Sequence, residues 1–197
     1  NGERDGAPMP PPDFGVVMGG PSIPATVLAD LIARGMAELR PVIHPEASPA
    51  EPRYGSSAAL ADFVRCRDLT CRFPGCDRPA DVCDIDHTVP YALGGLTHAS
   101  NLKCLCRRHH LVKTFWTAWH DEQLPDGTVI WTSPSGYPYR TRPGSALLIP
   151  ALCAPTGALE SIGLQQLSLH RGHRMPRRSR TRAADRHHRI MSERRRD

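Results

Sequence analysis

Cysteine and histidine residues are concentrated between residues 71 and 110, and four of them form two closely spaced pairs. Cys71 is followed after four residues by Cys76, and Cys106 is followed after two residues by His109. Thiolate and imidazole are the ligands that zinc prefers, and two such pairs supply the four ligands of a tetrahedral structural site. We therefore predict a structural zinc ion at Cys71, Cys76, Cys106 and His109, with no open coordination position.

The other cysteines leave alternatives to this ligand set. Cys104 shares a strand face with Cys106 and could replace it as a ligand. The four residues could also be ordinary buried side chains, although four ligands at this spacing rarely coincide by chance. The total of seven cysteines is odd, which argues against a disulfide framework. Three further cysteines are expected to be core thiols, namely Cys66, Cys83 and Cys153.

A second set of polar residues lies beside the predicted zinc ligands, namely Asp86, His87, Asn101 and His110. His110 follows His109 by one helical position, a rotation of about 100°, so the two imidazoles face different directions. Asp86 and His87 end a predicted strand and point to opposite sides, so the carboxylate can bind a cation while the imidazole reaches a water molecule. An open, oxygen-rich set of ligands favours Mg²⁺ or Mn²⁺.

The order and spacing of this second set resemble the His-Asn-His motif of HNH endonucleases. Thirteen residues separate His87 from Asn101, and eight separate Asn101 from His110. The chain is also similar to the 13E12-repeat group of that superfamily, through four segments: Cys71-Arg-Phe-Pro-Gly-Cys76, Asp84-Ile-Asp-His87, Leu105-Cys-Arg-Arg-His-His110 and Trp131-Thr-Ser-Pro134. The resemblance covers about residues 56–150, and a helix at 24–40 resembles the end of an upstream helical domain that is otherwise absent here.

The resemblance implies a ββα-metal fold and metal-dependent hydrolysis of a phosphodiester. His87 would be the general base that activates water, and Asp86 with His110 would hold the catalytic Mg²⁺ or Mn²⁺. Asn101 would fix the loop and the orientation of His87. The zinc ligand His109 departs from the pattern, since many HNH proteins have cysteine there, but zinc accepts either residue. Because His109 and His110 are neighbours, the alternative assignment exchanges their two roles.

Basic residues near this motif suggest DNA as the partner. Residues 65–113 carry eight basic against five acidic side chains. We expect four of the basic residues to bind DNA phosphates: Lys103, Arg107, Arg108 and Lys113. A solvated basic face with no ligand is the alternative. The net charge of +5 is weaker evidence for DNA binding at this motif, because residues 168–197 alone carry +8. Residues 168–197 are either an arginine-rich arm for DNA or sequence without a selected role.

Two functions compete with a DNA-cutting enzyme. The chain could be a non-catalytic zinc-knuckle module that binds nucleic acid, or an inactive remnant of a mobile element. The sequence predicts no small-molecule cofactor, and cleavage of both DNA strands would require a homodimer or a second site. No apolar run reaches the roughly 18 residues of a membrane span, so we expect no membrane association and a cytoplasmic location. The chain begins at Asn1 rather than Met, as a fragment would.

The local sequence pattern predicts the elements that must position these residues. Short strands at 82–86 and 102–106 are expected to form a hairpin, followed directly by a helix from Arg107 to Phe115. A helix capped by Ser56 or Ser57 should deliver the chain to the first zinc ligand. Three strands should then form a small antiparallel sheet, at 117–123, 128–132 and 137–141. The fold class is therefore α+β, a zinc-stapled ββα-metal unit with flanking helices and a C-terminal hairpin.

Composition divides the chain into four parts. Residues 1–21 are expected to be an irregular lead-in, because proline and glycine are frequent there. Residues 22–55 should hold one amphipathic helix at 24–40 and a proline-rich linker. Residues 56–150 would form the nuclease domain, and residues 151–197 a disordered arginine-rich tail with too little apolar surface to bury.

Overall fold

A computed structural model describes residues 13–46, 48–116 and 118–157. Within these ranges the protein is a mixed α/β structure with three small antiparallel sheets and four helices. The strands are β1 (Phe14–Val16), β2 (Ser22–Pro24), β3 (Cys83–His87), β4 (Leu102–Cys106), β5 (His120–Gln123), β6 (Val129–Thr132) and β7 (Pro138–Thr141). The helices are α1 (Ala25–Ala33), α2 (Ala58–Asp68), α3 (Arg107–Phe115) and α4 (Ser145–Leu148).

The first hairpin and helix differ from the sequence-based expectation. Strand β1 pairs with β2, so the part of the lead-in around Phe14 is ordered; residues 1–12 lie outside the described ranges. Helix α1 ends at Ala33 rather than near residue 40, because Gly35 adopts a left-handed φ of 67°. The Met36 amide then donates to the Leu31 carbonyl (2.9 Å), a bond pattern that closes a helix end.

Helix α2 connects the N-terminal part of the chain to the central hairpin. The predicted cap is confirmed at Ser57, whose hydroxyl accepts a hydrogen bond from the Leu60 amide (3.2 Å). At the other end of α2, a buried ion pair joins Arg67 to Asp68, with Nε and Oδ1 2.8 Å apart. The second oxygen of Asp68 accepts a hydrogen bond from the Cys104 amide (2.8 Å), which fixes α2 against β4.

The central hairpin and the helix after it confirm the predicted strand–loop–strand–helix order. Strands β3 and β4 pair antiparallel, with Asp86 opposite Lys103 and Cys83 opposite Cys106. Helix α3 begins at Arg107, directly after β4, so its first turn lies against the end of the hairpin. Every side chain of β4 is buried, because both faces of this strand are covered.

A three-stranded sheet in the order β5-β6-β7 packs beside the hairpin, and the three predicted strands are confirmed, each slightly shorter than expected. Trp131 in β6 is fully buried, and its indole N–H donates to the Arg72 carbonyl (2.8 Å). The buried Arg72 guanidinium in turn donates to carbonyl groups of the sheet, including that of Thr141 (2.6 Å). The sheet is therefore fastened to the segment that carries the first two predicted zinc ligands.

The ordered part of the chain extends beyond the predicted domain end at residue 150. Residues 150–153 form a short 3₁₀ turn, and Thr156 is buried, with its hydroxyl 2.7 Å from that of Ser100. Disorder from residue 151 was therefore the wrong expectation for 151–157. The remainder of the arginine-rich tail, from residue 158, lies outside the described residues. Among the described helices, none is long and apolar enough to cross a membrane.

Candidate metal centre and active site

The four predicted zinc ligands converge in the structure. One ligand atom from each of Cys71, Cys76, Cys106 and His109 lies within 4.8 Å of the others, and these residues are called the Cys/His cluster below. Cys76 is brought back toward Cys71 by a tight turn in which Gly75 has a φ of 70° and the Cys76 amide donates to the Phe73 carbonyl (3.1 Å). Cys106 ends β4, and His109 lies in the first turn of α3.

The distances within the cluster agree with tetrahedral coordination. The Nδ1 atom of His109 lies 3.5 Å from Cys71 Sγ and 3.4 Å from Cys106 Sγ. In a tetrahedral zinc site, bond lengths near 2.3 Å to sulfur and 2.0 Å to nitrogen place these atoms about 3.5 Å apart. The donor set therefore fits a metal ion such as zinc, and the predicted convergence of the four ligands is confirmed.

The surroundings of the cluster act in opposite directions on the pKa values of two of its thiols. Burial raises the pKa of the Cys71 thiol well above its ordinary value. For Cys106, burial also acts to raise the pKa, but hydrogen bonds from the amides that begin α3 and from neighbouring thiols lower it overall. The ring of Phe73 stacks on His109, with centroids 4.1 Å apart, and covers one side of the cluster. A metal cation would stabilise the thiolate forms of these partly buried cysteines.

The remaining cysteines are not part of the cluster. Cys104 is fully buried and its Sγ lies 3.9 Å from the Val64 carbonyl oxygen, so it does not replace Cys106 as a ligand. Cys83 is buried, as expected of a core thiol, and burial raises its pKa to about 12. Cys66 and Cys153 are only half-buried.

His110 faces a different group of residues from its neighbour His109, as the helical rotation predicts. Its Nδ1 lies 2.8 Å from Asp84 Oδ2, and its Nε2 lies 3.4 Å from Asp86 Oδ1. Since an ionised carboxylate can only accept, Nδ1–H donates to Asp84, and Nε2 is the ring atom that faces Asp86. The hydrogen bond from His110 also lowers the pKa of Asp84, which keeps that carboxylate ionised. The arrangement suits a cation between Asp86 and His110.

The other carboxylate oxygen of Asp86 binds two lysines. Lys103 Nζ lies 3.0 Å and Lys113 Nζ 2.6 Å from Asp86 Oδ2. Burial acts to raise the pKa of Asp86, but the two ammonium groups lower it overall, so the carboxylate is ionised. Lys103 is completely buried. The prediction that Lys103 binds a DNA phosphate is therefore wrong, because its amino group is enclosed by carboxylates inside the fold, and the amino group of Lys113 is engaged in the same way.

His87 is held in one orientation by two residues that the sequence analysis did not single out. Its Nε2 lies 2.9 Å from the hydroxyl of Thr97, and Tyr54 stacks on its ring with centroids 5.3 Å apart. The Thr97 hydroxyl donates its own hydrogen to the Tyr54 carbonyl (3.2 Å), so it accepts from His87. Nε2 therefore carries the hydrogen, and Nδ1 has a free lone pair. Burial lowers the pKa of His87, which favours this neutral form.

Asn101 fixes the loop between β3 and β4, as expected, but its recorded side-chain hydrogen bonds go to the loop and not to His87. Its side chain accepts from the Val89 amide (2.8 Å) and donates to the Val89 and Leu96 carbonyls (3.1 and 2.9 Å). Gly95 is required at the crossing of this loop, since a Cβ atom there would lie 1.8 Å from the Val89 carbonyl oxygen. By holding the loop, Asn101 places Thr97 beside His87.

Arg107 and Arg108 are exposed in the first turn of α3, where a ligand can reach them. One guanidinium nitrogen of Arg107 lies 3.4 Å from Asp84 Oδ2, at the edge of the group formed by Asp84, Asp86 and His110. Of the four residues predicted to bind phosphate, these two thus remain as candidates.

Comparisons with known proteins give relatives but no activity. No protein-family model and no solved structure matches the chain. The uncharacterized protein Rv3776 of Mycobacterium tuberculosis is 52% identical over 198 residues, covering 98% of this chain and 37% of that protein. The uncharacterized protein Rv2100 of the same organism is 56% identical over 180 residues, covering 91% and 32%. The chain thus spans about a third of the length of these curated relatives, and function must be argued from the site itself.

Proposed function

We propose that the chain contains a metal-dependent endonuclease unit of the HNH type that hydrolyses DNA phosphodiester bonds. The principal support is the geometry at Asp86 and His110, where Oδ1 and Nε2 lie 3.4 Å apart and are both atoms that can ligate one cation. In the tautomer that carries hydrogen on Nδ1 alone, Nε2 is an acceptor, and a cation between Nε2 and Oδ1 would bind both atoms. Asp84 fixes the His110 ring in the orientation that creates this pair.

In this proposal Asp86 and His110 would hold Mg²⁺ or Mn²⁺, and His87 would act on water. The cation, when bound, supplies positive charge for the phosphate and the leaving oxygen. His87 accepts the proton of the attacking water at Nδ1, since Nε2–H is donated to Thr97. A neutral imidazole is the form that can accept this proton, and partial burial favours it at neutral pH.

The Cys/His cluster would bind structural zinc and thereby position the catalytic residues. Zinc joins the segment after α2 to the end of β4 and to the first turn of α3, which carries both His109 and His110. Fixing His109 therefore fixes the neighbouring His110. In domains of this size, metal binding can supply on the order of 10 kcal/mol of folding free energy.

DNA would be bound through the exposed arginines of α3 rather than through the buried lysines. Arg107 and Arg108 lie three and two residues before His110, so a phosphate that they bind would lie near the proposed cation site. Phosphate contacts of this kind give affinity that depends on salt but not on base sequence.

A plasmid-nicking assay tests this function. Zinc-loaded protein is incubated with supercoiled plasmid and Mg²⁺ or Mn²⁺, and the conversion to nicked circles is measured with and without EDTA. We expect metal-dependent nicking, reduced about 10²- to 10⁴-fold in His87→Ala, since this is the usual contribution of a general base. His120→Ala, which alters an exposed histidine of β5, is the matched control and should nick like the parent. Plasmid binding without cleavage under either metal would contradict the proposal and favour a non-catalytic zinc-knuckle module.

A further inference from the structure

Two lysines and two aspartates form a buried ring of alternating charge next to the proposed cation site. Lys103 Nζ lies 2.6 Å from Asp121 Oδ2, and Lys113 Nζ lies 3.1 Å from the same atom. The two lysines also bind Asp86 Oδ2, so each ammonium group lies between two carboxylates. Side-chain exposure within this ring is 0% for Lys103, 6% for Asp121 and 10% for both Lys113 and Asp86.

Asp121 reaches this ring from β5, which lies outside the His-Asn-His segment. Its Oδ2 is buried and has no hydrogen bond of good angle, so its attraction to the two ammonium groups is mainly electrostatic. The adjacent Glu122 is exposed. Among the ion pairs of the described residues, Asp121 is thus the one acidic residue of the three-stranded sheet that contacts Lys103 and Lys113.

The charge of the ring decides whether a cation can bind beside it. Asp86 with Lys103 and Lys113 alone carries a net charge of +1, which would repel a divalent cation from the free oxygen of Asp86. Asp121 brings the net charge of the ring to zero. It also draws the two ammonium groups to the side of Asp86 that carries Oδ2, away from the side where Oδ1 faces His110.

We propose that Asp121 is a positioning residue for the cation site: it neutralises Lys103 and Lys113 and keeps them on one oxygen of Asp86, so that the other oxygen and His110 can bind Mg²⁺ or Mn²⁺. The inference rests on the proposed function of Asp86 and His110. It gives the three-stranded sheet a role in positioning the cation site, in addition to its support of the hairpin.

Titration of the zinc-loaded full chain with Mn²⁺, followed by electron paramagnetic resonance without DNA, tests the inference. Asp121→Asn removes one negative charge with little change in shape, and we expect it to weaken Mn²⁺ binding about tenfold or more, as loss of a group that orients a metal ligand typically does. Glu122→Gln makes the same chemical change at the neighbouring exposed position and should leave the affinity within about twofold of the parent.

Lys113→Gln separates a charge effect from a loss of structure. This variant makes the ring more negative, so we expect it to bind Mn²⁺ about threefold more tightly or better, whereas damage to the fold would weaken binding in both variants. Equal affinity of Asp121→Asn and the parent, or weakening in both variants, would overturn the inference. If Asp121→Asn does not fold, the direction of the change in Lys113→Gln decides. A parent protein that binds no Mn²⁺ would instead overturn the proposed cation site itself, and the inference with it.

Discussion

Thr97→Val is a focused perturbation of the proposed general base. The substitution keeps the size and branching of this fully buried side chain but removes the hydroxyl that accepts from His87 Nε2–H. In the valine variant, either Nε2–H stays buried without a partner, or the hydrogen moves to Nδ1. The second outcome blocks the atom that would accept a proton from water.

The expected magnitude follows from that lost hydrogen bond. A buried donor without a partner costs about 1–3 kcal/mol. If this cost falls on the active tautomer of His87, the cleavage rate should fall about 5- to 150-fold, because each 1.36 kcal/mol corresponds to roughly a factor of ten. The carbonyl of Tyr54 also loses a partner, but this residue is largely exposed and water can replace the hydroxyl.

Single-turnover nicking rates at saturating Mn²⁺ measure this effect, together with zinc content and thermal unfolding of each variant. Thr97→Ser keeps the hydroxyl and should retain most of the activity. Thr26→Val repeats the substitution at an exposed position of α1 and should have no effect. A folded, zinc-loaded Thr97→Val protein that nicks at the rate of the parent would refute the assigned tautomer of His87.

Three further outcomes follow from the fold. Removal of zinc by a chelator should abolish the cooperative thermal transition, and restoring zinc but not Mg²⁺ should recover it; a chelator-treated protein that melts like the parent would exclude a structural metal. Gly95→Ala should destabilise the fold by more than about 2 kcal/mol in urea unfolding, since its Cβ would collide with the Val89 carbonyl, and an unchanged midpoint would show that the loop can move. Burial lowers the pKa of His98, whose Nδ1 accepts from the Ser100 amide, so the parent should lose stability as the pH falls below 6.5, the ordinary histidine value. His98→Asn keeps an acceptor there without titrating, and the unfolding free energy of the parent should therefore decline more steeply between pH 7.5 and 5.

Local patterns were enough to predict much of this site. The bounds of α3 and the pairing of β3 with β4 follow from short apolar runs and from the absence of helix breakers between Arg107 and Phe115. The Cys/His cluster was also predictable from local patterns, because the two ligands of each pair are close in sequence. Only the approach of the two pairs to each other depended on the fold.

The contacts that the sequence did not predict join residues of different elements, or depend on which faces of a strand are buried by the rest of the fold. Lys103 was expected to bind a DNA phosphate, but β4 is buried on both faces, and the lysine is enclosed by Asp86 and Asp121. Nothing in the local pattern of β5 shows that Asp121 reaches this lysine. Likewise, no sequence motif marks Thr97 as a partner of His87, because their hydrogen bond depends on how the loop folds.

Anomalous diffraction from crystals of the zinc-loaded His87→Ala protein soaked in Mn²⁺ would test most directly whether Asp86 and His110 form a catalytic cation site. We predict a zinc peak within the Cys/His cluster and a separate manganese peak roughly 2.1 Å from both Asp86 Oδ1 and His110 Nε2, with Asp84 still bound to His110 Nδ1. The absence of manganese at that position, with His110 instead donating a hydrogen bond to Asp86, would contradict it.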